Sequence, residues 1–246
     1  MKTEKGKSYP HRQNEHPTWK KIIVESHLPE NLLPLRELSK NLWWVWNNEA
    51  REVFQYIDSK KWEECDHNPV ILLGKVNYKR FKELENDQHF MGKMHKVYGD
   101  FRQYLDERSN LGSPQIAYFS MEYGLHDSLK IYSGGLGLLA GDYLKEASDM
   151  KVNMIAVGLL YRYGYFKQAL NLHGEQMAHY EFQEFSKIPV NPVLDENGEW
   201  IKINLDYPDR KLFARIWQVN IGSVKLFLLD ADLPENQDYD RSVTHH

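Results

Sequence analysis

The chain has 246 residues, 41% of them hydrophobic, with 7 Trp and 15 Tyr, which is enough for one or two domains with a real core. A formal charge of −4 without a basic stripe argues against nucleic acid as a partner, and a single cysteine, Cys65, excludes an intramolecular disulfide and a cysteine metal cluster. The longest apolar runs are too short to span a bilayer and the polar start MKTEKGKSYPHRQNEH is unlike a secretory leader, so a cytoplasmic protein without membrane contact is expected.

Residues 1–18 read as a flexible tail, followed by the short apolar run of KIIVESHLP. Pro34 suits the first turn of a helix, and Leu35, Leu38, Leu42, Trp46, Val53 and Ile57 recur at close to helical spacing, with a restart available at the asparagines of NNEA. Trp43, Trp44 and Trp46 cannot share one side of a helix. They call either for a second contact with another domain or subunit, or for a wide apolar face within one bundle. NPVILLG at 68–74 reads as a short buried segment. From Asn77 to Ser109 the pattern is helical and highly charged, with an apolar stripe through Phe81, Leu84, Phe90, Met94, Val97 and Phe101. A mostly helical region over 19–111 is the expectation.

The texture changes at Gly112-Ser113-Pro114. QIAYFSMEYG at 115–124 reads as a buried strand, 136–150 as a helix, and NMIAVGLLY at 153–161 as a second strand. Together they form a βαβ unit, which implies a parallel sheet. Beyond Pro189, WIKINLD, KLFARIWQVN and SVKLFLLDAD alternate between turn signals, giving an antiparallel β meander at about 188–232. Residues 112–246 are therefore expected to be an incomplete α/β domain, since a parallel sheet normally has more strands than these.

Between the first strand and the helix lies IYSGGLGLLAGDYLKEASD. The first amides of a helix have no internal acceptor, and glycines let an anion approach them closely, so Gly134 and Gly135 form a candidate phosphate loop. The glycine spacing differs from a dinucleotide fingerprint, and the Lys-Ser/Thr ending of a P-loop is absent. Glu122 ends the first strand, where α/β proteins bind ligands. It could orient a sugar hydroxyl or join an ion pair. Arg162 ends the second strand and could either neutralise a phosphate or salt-bridge to Glu122 or Asp142. Asp142 could also cap or pair within the helix. His126, beside Asp127, reads as a surface loop histidine. No metal role is assigned to any residue.

These residues together resemble the α-glucan (glycogen/maltodextrin) phosphorylases of the short bacterial and archaeal type. The matching blocks are IAYFSMEYGLHDSLKIYSGGLGLLAGDYLKEASDM, VGLLYRYGYFKQAL and VKLFLLDADLPEN, with NLWWVWNNEAREVF and HNPVILL before them. The resemblance implies the N-terminal part of a two-domain glycosyltransferase-like (GT-B) fold. It also implies phosphorolysis of α-1,4-glucan by inorganic phosphate to glucose 1-phosphate, with pyridoxal 5′-phosphate as cofactor in the full-length enzyme. Under it, Gly134 and Gly135 match the loop facing the substrate phosphate, Leu136 the residue beside the glucose, Glu122 an acid lining the cleft, and Arg162 with Tyr163 the motif's RY pair. Two departures stand out. HGEQ places Glu175 where the family carries a tryptophan, and the cofactor lysine belongs to a C-terminal domain absent from this chain. The chain alone is therefore expected to be inactive and not to hold the cofactor, with a C-terminal domain or complementary chain as partner and a homodimer as a further option. The alternatives are a non-catalytic glucan-binding or regulatory protein and a nucleotide-sugar glucan synthase, the latter disfavoured by the YFSMEYGLH and LLYRYGYF blocks.

Overall fold

The structure, a computed structural model, describes residues 27–107 and 112–245. The tail expected over 1–18, the apolar run at 21–24, Ser109 and His246 lie outside the described residues.

Six helices come first, five of them short: α1 (Pro34–Ser39), α2 (Asn48–Ile57), α3 (Ser59–Glu64), α4 (Pro69–Lys75), α5 (Tyr78–Glu85) and the longer α6 (Gln88–Asp106). Local chemistry explains where each begins. The side chains of Asn47, Asp58, Asn68, Asn77 and Asp87 each accept a hydrogen bond from an amide in the first turn of the helix that follows, so each Asx starts a new segment, and Asp58 also ends the one before it. The helical spacing seen over 34–57 is thus broken into α1, a 3-10 turn at Leu42–Val45, and α2. Asp87 splits the stripe that begins at Asn77, and the segment at 68–74 is helix α4, opened by the Asn68 cap and Pro69. Helix α3 escaped the sequence reading because its six residues carry one buried side chain, Trp62.

The three tryptophans go three ways within the chain. Trp43 lies against Phe101 and Tyr104, while Trp44 meets Phe54, Trp62 and His126. Trp46 donates its indole N–H to Asp149 at 3.1 Å.

The second half is a mixed sheet. β1 (Ile116–Phe119), α7 (Gly135–Asp149) and β2 (Met154–Leu159) are the expected βαβ unit, with Ile116 opposite Met154 in a parallel pair. The first strand is shorter than 115–124, because beyond Phe119 the Ser120 hydroxyl donates to the Glu122 carbonyl (2.9 Å) and the chain turns. An exposed hairpin follows, β3 (Lys167–Leu170) with β4 (Gln176–His179), then β5 (Asn191–Pro192), β6 (Lys202–Asp206), β7 (Lys211–Ile221) and β8 (Val224–Asp230). The meander β6–β7–β8 is antiparallel as expected, and β8 also runs parallel to β2, so meander and βαβ unit share one 6-stranded sheet ordered β1-β2-β8-β7-β5 with β6 beside β7. A last short helix, α8 (Asp238–Arg241), leads to residues that return to the sheet, where Arg162 and Tyr163 donate backbone N–H bonds to Thr244 and His245 (both 2.8 Å). The architecture is α/β with a helical N-terminal region.

One polar staple joins helices and sheet. Asn41, 5% exposed, donates its amide to the Gly222 carbonyl (2.9 Å) and accepts the Gly222 N–H (2.8 Å). Gly222 has φ of +55°, and a Cβ there would lie 2.3 Å from Ser148 Oγ, so the turn between β7 and β8 requires glycine. Asn41→Leu removes both bonds, together with the one its Oδ1 accepts from the Trp43 N–H (2.9 Å), and strands three buried backbone groups. A loss of about 1–3 kcal/mol in unfolding free energy is expected by denaturant titration.

Candidate functional site

The site forms where β1 ends and α7 begins. Tyr123 fixes the approach: its buried ring packs on Gly158, and its hydroxyl donates to the Val157 carbonyl (2.9 Å), with that of Tyr118 at 3.0 Å. Burial holds this phenol well above its usual range. Gly124 then donates its N–H to the Gly137 carbonyl (2.6 Å), drawing the strand end against the first turn of the helix. The intervening loop is secured by Leu125, Leu129 and Ile131, all buried, and by the Tyr123 amide on the Ile131 carbonyl (3.2 Å).

The glycines of this segment divide into two kinds. A Cβ on Gly137 would fall 2.5 Å from Tyr132 Cβ, and one on Gly141 would fall 2.1 Å from the Gly124 carbonyl oxygen. Those two are glycine because backbones and side chains meet there. A Cβ on Gly134 or Gly135 would meet nothing within 4 Å, so protein packing does not account for them. Leu136 beside them is 61% exposed.

Glu122 joins this group. Its carboxylate accepts the Ser133 hydroxyl (2.7 Å) and the Ser133 N–H (3.2 Å). These bonds, with weaker help from the Gly134 and Gly137 N–H groups, hold its pKa below the ordinary carboxylate value. Part of the helix N-terminus is therefore already served by a protein anion. Leu138 is the first residue to donate into the Gly134 carbonyl, so the N–H groups of Gly135 and Leu136 precede the ladder and have no intrahelical acceptor. Ser133 was not singled out in the sequence. A serine next to a glycine pair, eleven residues after an acid, carries no recognisable spacing signal.

Because the Glu122 carboxyl is more acidic folded than unfolded, its contribution to stability is present above the unfolded-state value of about 4.3 and is lost as pH falls through the lower folded value. Glu122→Gln is expected to flatten the acid limb of stability against pH in that window, with little change in its shape near neutrality. Circular dichroism melts from pH 2 to 7 read this, and an unchanged acid limb would contradict it.

The structure places the other expected residues elsewhere. Arg162 contacts Asp232 (3.1 Å) and Asp230 (3.5 Å) and lies over the Phe185 ring at 4.5 Å. Neither Glu122 nor Asp142 is its ion-pair partner. Tyr163 sets its ring edge-on to Phe182 at 5.8 Å. Asp142 pairs with Lys145 in the next turn of the helix (3.2 Å). Glu175 closes the turn of the β3–β4 hairpin, accepting from the Asn171 amide (2.7 Å). His126 is half-buried rather than freely exposed. Its ring accepts the Ser128 N–H (3.0 Å) and meets Trp44 edge-on at 4.7 Å, and burial lowers its pKa to about 4, so it is neutral near pH 7.

Among the described residues no group of three or more His, Cys, Asp or Glu could hold a metal ion, and no helix is long and apolar enough to cross a membrane. The two lysines flanking the loop in sequence are engaged, Lys130 by Glu181 and Lys145 by Asp142.

Comparison with known proteins shows what the chain is similar to. Residues 28–129 match the family described as "Protein of unknown function (DUF3417)". The chain is 41% identical over 227 residues to the maltodextrin phosphorylase of Thermococcus litoralis, covering 89% of this chain and 27% of that protein. It is 42% identical over 238 residues to the glycogen phosphorylase of Mycobacterium tuberculosis, covering 92% and 28%. With the glycogen phosphorylase of Aquifex aeolicus it shares 40% identity over 216 residues, covering 85% and 30%. The chain spans less than a third of the length of each of these relatives.

Proposed function

We propose that this chain, which matches an N-terminal portion of the glycogen and maltodextrin phosphorylase family, supplies the phosphate-facing wall of an α-1,4-glucan phosphorylase. The observation that carries the reading is the pair Gly134 and Gly135. They sit at the start of a 15-residue helix, at the C-terminal end of a parallel strand, with open space where side chains would be. The N–H groups of Gly135 and Leu136 are the donors offered to inorganic phosphate, while Glu122 holds Ser133 and keeps the loop in shape. Leu136 presents an apolar wall to a glucose unit. Arg162, held by Asp230 and Asp232, and Tyr163, set against Phe182, support the rim from behind.

In this reading the longer protein has the two-domain glycosyltransferase-like architecture, works in the cytoplasm and releases glucose 1-phosphate. Pyridoxal 5′-phosphate belongs to that longer protein, on a lysine outside this chain. The chain alone is proposed to turn over no glucan. The test is a coupled assay for glucose 1-phosphate from maltoheptaose and phosphate. The longer protein is expected to produce it and the 246-residue chain to produce none above blank. Turnover by the chain alone, or none by the longer protein, would overturn the proposal.

A further inference from the structure

Between Ser120 and Gly134 the chain has no helix or strand, yet its end must bring the amides of Gly135 and Leu136 to a fixed place. Much of that placing is done from outside the loop, at Lys130. The backbone N–H of Lys130 donates to Gln183 Oε1 (2.9 Å), and its carbonyl accepts from Gln183 Nε2 (3.0 Å). The same Nε2 also donates to the Tyr161 carbonyl at the end of β2 (2.9 Å), and the backbone N–H of Gln183 donates to the Arg162 carbonyl (2.9 Å). Gln183 is 5% exposed, and its side-chain amide, with a partner for each hydrogen and for its oxygen, ties the loop to the strand end. The lysine side chain is held by the same part of the chain. Its stem lies over Gly164, where a Cβ would fall 2.9 Å from both Cβ and Cδ of Lys130, and its ammonium pairs with Glu181. Gly164 in turn donates its N–H to the Glu181 carbonyl (3.0 Å). Gly164, Glu181 and Gln183 flank the β3–β4 hairpin, so the base of that hairpin grips one residue of the loop.

We infer that Gln183 is a positioning residue of the glycine loop, acting through the backbone of Lys130. Lys130 lies shortly before Ser133, whose hydroxyl and N–H both bind Glu122, and before the glycine pair. The stretch between has little slack. Ile131 is 1% exposed and donates its N–H to the Leu129 carbonyl (3.0 Å), and Tyr132 lies against Gly137. A shift at Lys130 therefore passes to the amides that open α7. Donors gain their value from being held in place, and a misplacement of about 1 Å can cost roughly a hundred-fold in a positioned reaction. Gln183 makes no hydrogen bond to Glu122 or to the glycine pair, so its influence on the site runs through the loop. Its effect on phosphate rests on the function proposed above, whereas its hold on the loop stands without it.

The test compares the 246-residue chain with its Gln183→Met variant, which keeps the length and apolar bulk of the side chain and loses the amide. The amides of Gly124, Ser133 and Leu138 bond to Gly137, Glu122 and Gly134, and so report the loop. Their hydrogen exchange is expected to quicken at least roughly ten-fold in the variant, with exchange in β7 and β8 unchanged. In a titration with inorganic phosphate followed by amide NMR, the apparent Kd at Gly134, Gly135 and Leu136 is expected to rise at least about five-fold. Gly164→Ala presses on Lys130 from the other side and is expected to give the same local pattern, which supplies the reading where Gln183→Met does not fold. Unchanged exchange at the three loop amides would overturn the inference. So would exchange that quickens equally in β7 and β8, because Gln183 would then serve the fold as a whole. Equal phosphate affinity in chain and variant would overturn it as well. An unmodified chain that binds no phosphate would count against the proposed function instead, and the exchange rates would still decide the role of Gln183.

Discussion

Gly141→Ala is expected to destabilise the chain by about 3 kcal/mol or more, the upper end for overpacking a filled interior. The added methyl would sit 2.1 Å from the Gly124 carbonyl oxygen and 2.5 Å from its carbon. Both are backbone atoms of a segment that Tyr123 and the Gly124–Gly137 hydrogen bond hold in place, so no flexible side chain can yield. Relief requires α7 to move away from the end of β1, which would also dismantle the loop. Gly134→Ala makes the contrast. Its methyl enters open space, so thermal melting is expected to be unchanged within error, while under the proposed function phosphorolysis by the longer protein is expected to fall because the methyl occupies the space assigned to the anion. Melting curves of the two variants side by side separate a glycine kept for packing from one kept for a ligand. Equal destabilisation by both would remove that distinction.

The second large effect concerns Asp230, 1% exposed at the end of β8. Its carboxylate accepts from Arg215 Nε (2.8 Å) and from the Trp217 indole (3.3 Å), with Arg215 Nη2 at 2.7 Å and Arg162 Nη2 at 3.5 Å. Asp232 holds the other side of Arg162 and also binds Arg241 (2.7 Å). Two aspartates thus gather three arginines from β2's end, β7 and α8, and anchor the returning chain end. Asp230→Ala leaves Arg215 and Arg162 partly buried without their shared anion, and a loss of about 3–5 kcal/mol is expected in denaturant unfolding, the range for breaking a buried pair from one side. A replacement of Arg215 and Asp230 together by apolar residues of similar size should recover much of it. If the double variant is no better than Asp230→Ala, the cost comes from packing rather than charge.

The fold was legible where pattern and topology coincide. The βαβ unit could be read because two apolar strands flank one amphipathic helix, and the meander because alternation resumes between turn residues. What escaped detection depends on distant partners. The restart at Asn47 was legible in the cap offered by NNEA, but the break before Leu42 was not, because nothing local shows that Asn41 is committed to Gly222, 181 residues away. The joining of β8 to β2 is likewise non-local, and a run such as VKLFLLD fits either an edge or a central strand. In the site, the glycine pair was visible from its position between strand and helix. The partner of Arg162 was not, since Asp230 and Asp232 lie about seventy residues downstream in an unremarkable acidic turn. His126 looked like a surface residue, because burial under Trp44 comes from a helical segment with no sequence link to its loop.

The central claim is that the amides opening α7 serve an anion. The most direct measurement is a titration of the isotopically labelled chain with inorganic phosphate at constant ionic strength, followed by amide NMR. Saturable shifts confined to Gly134, Gly135 and Leu136 with their immediate neighbours, lost in Gly135→Val, are the predicted result. No shift at those amides, or shifts spread only over the lysine-bearing surface, would contradict it.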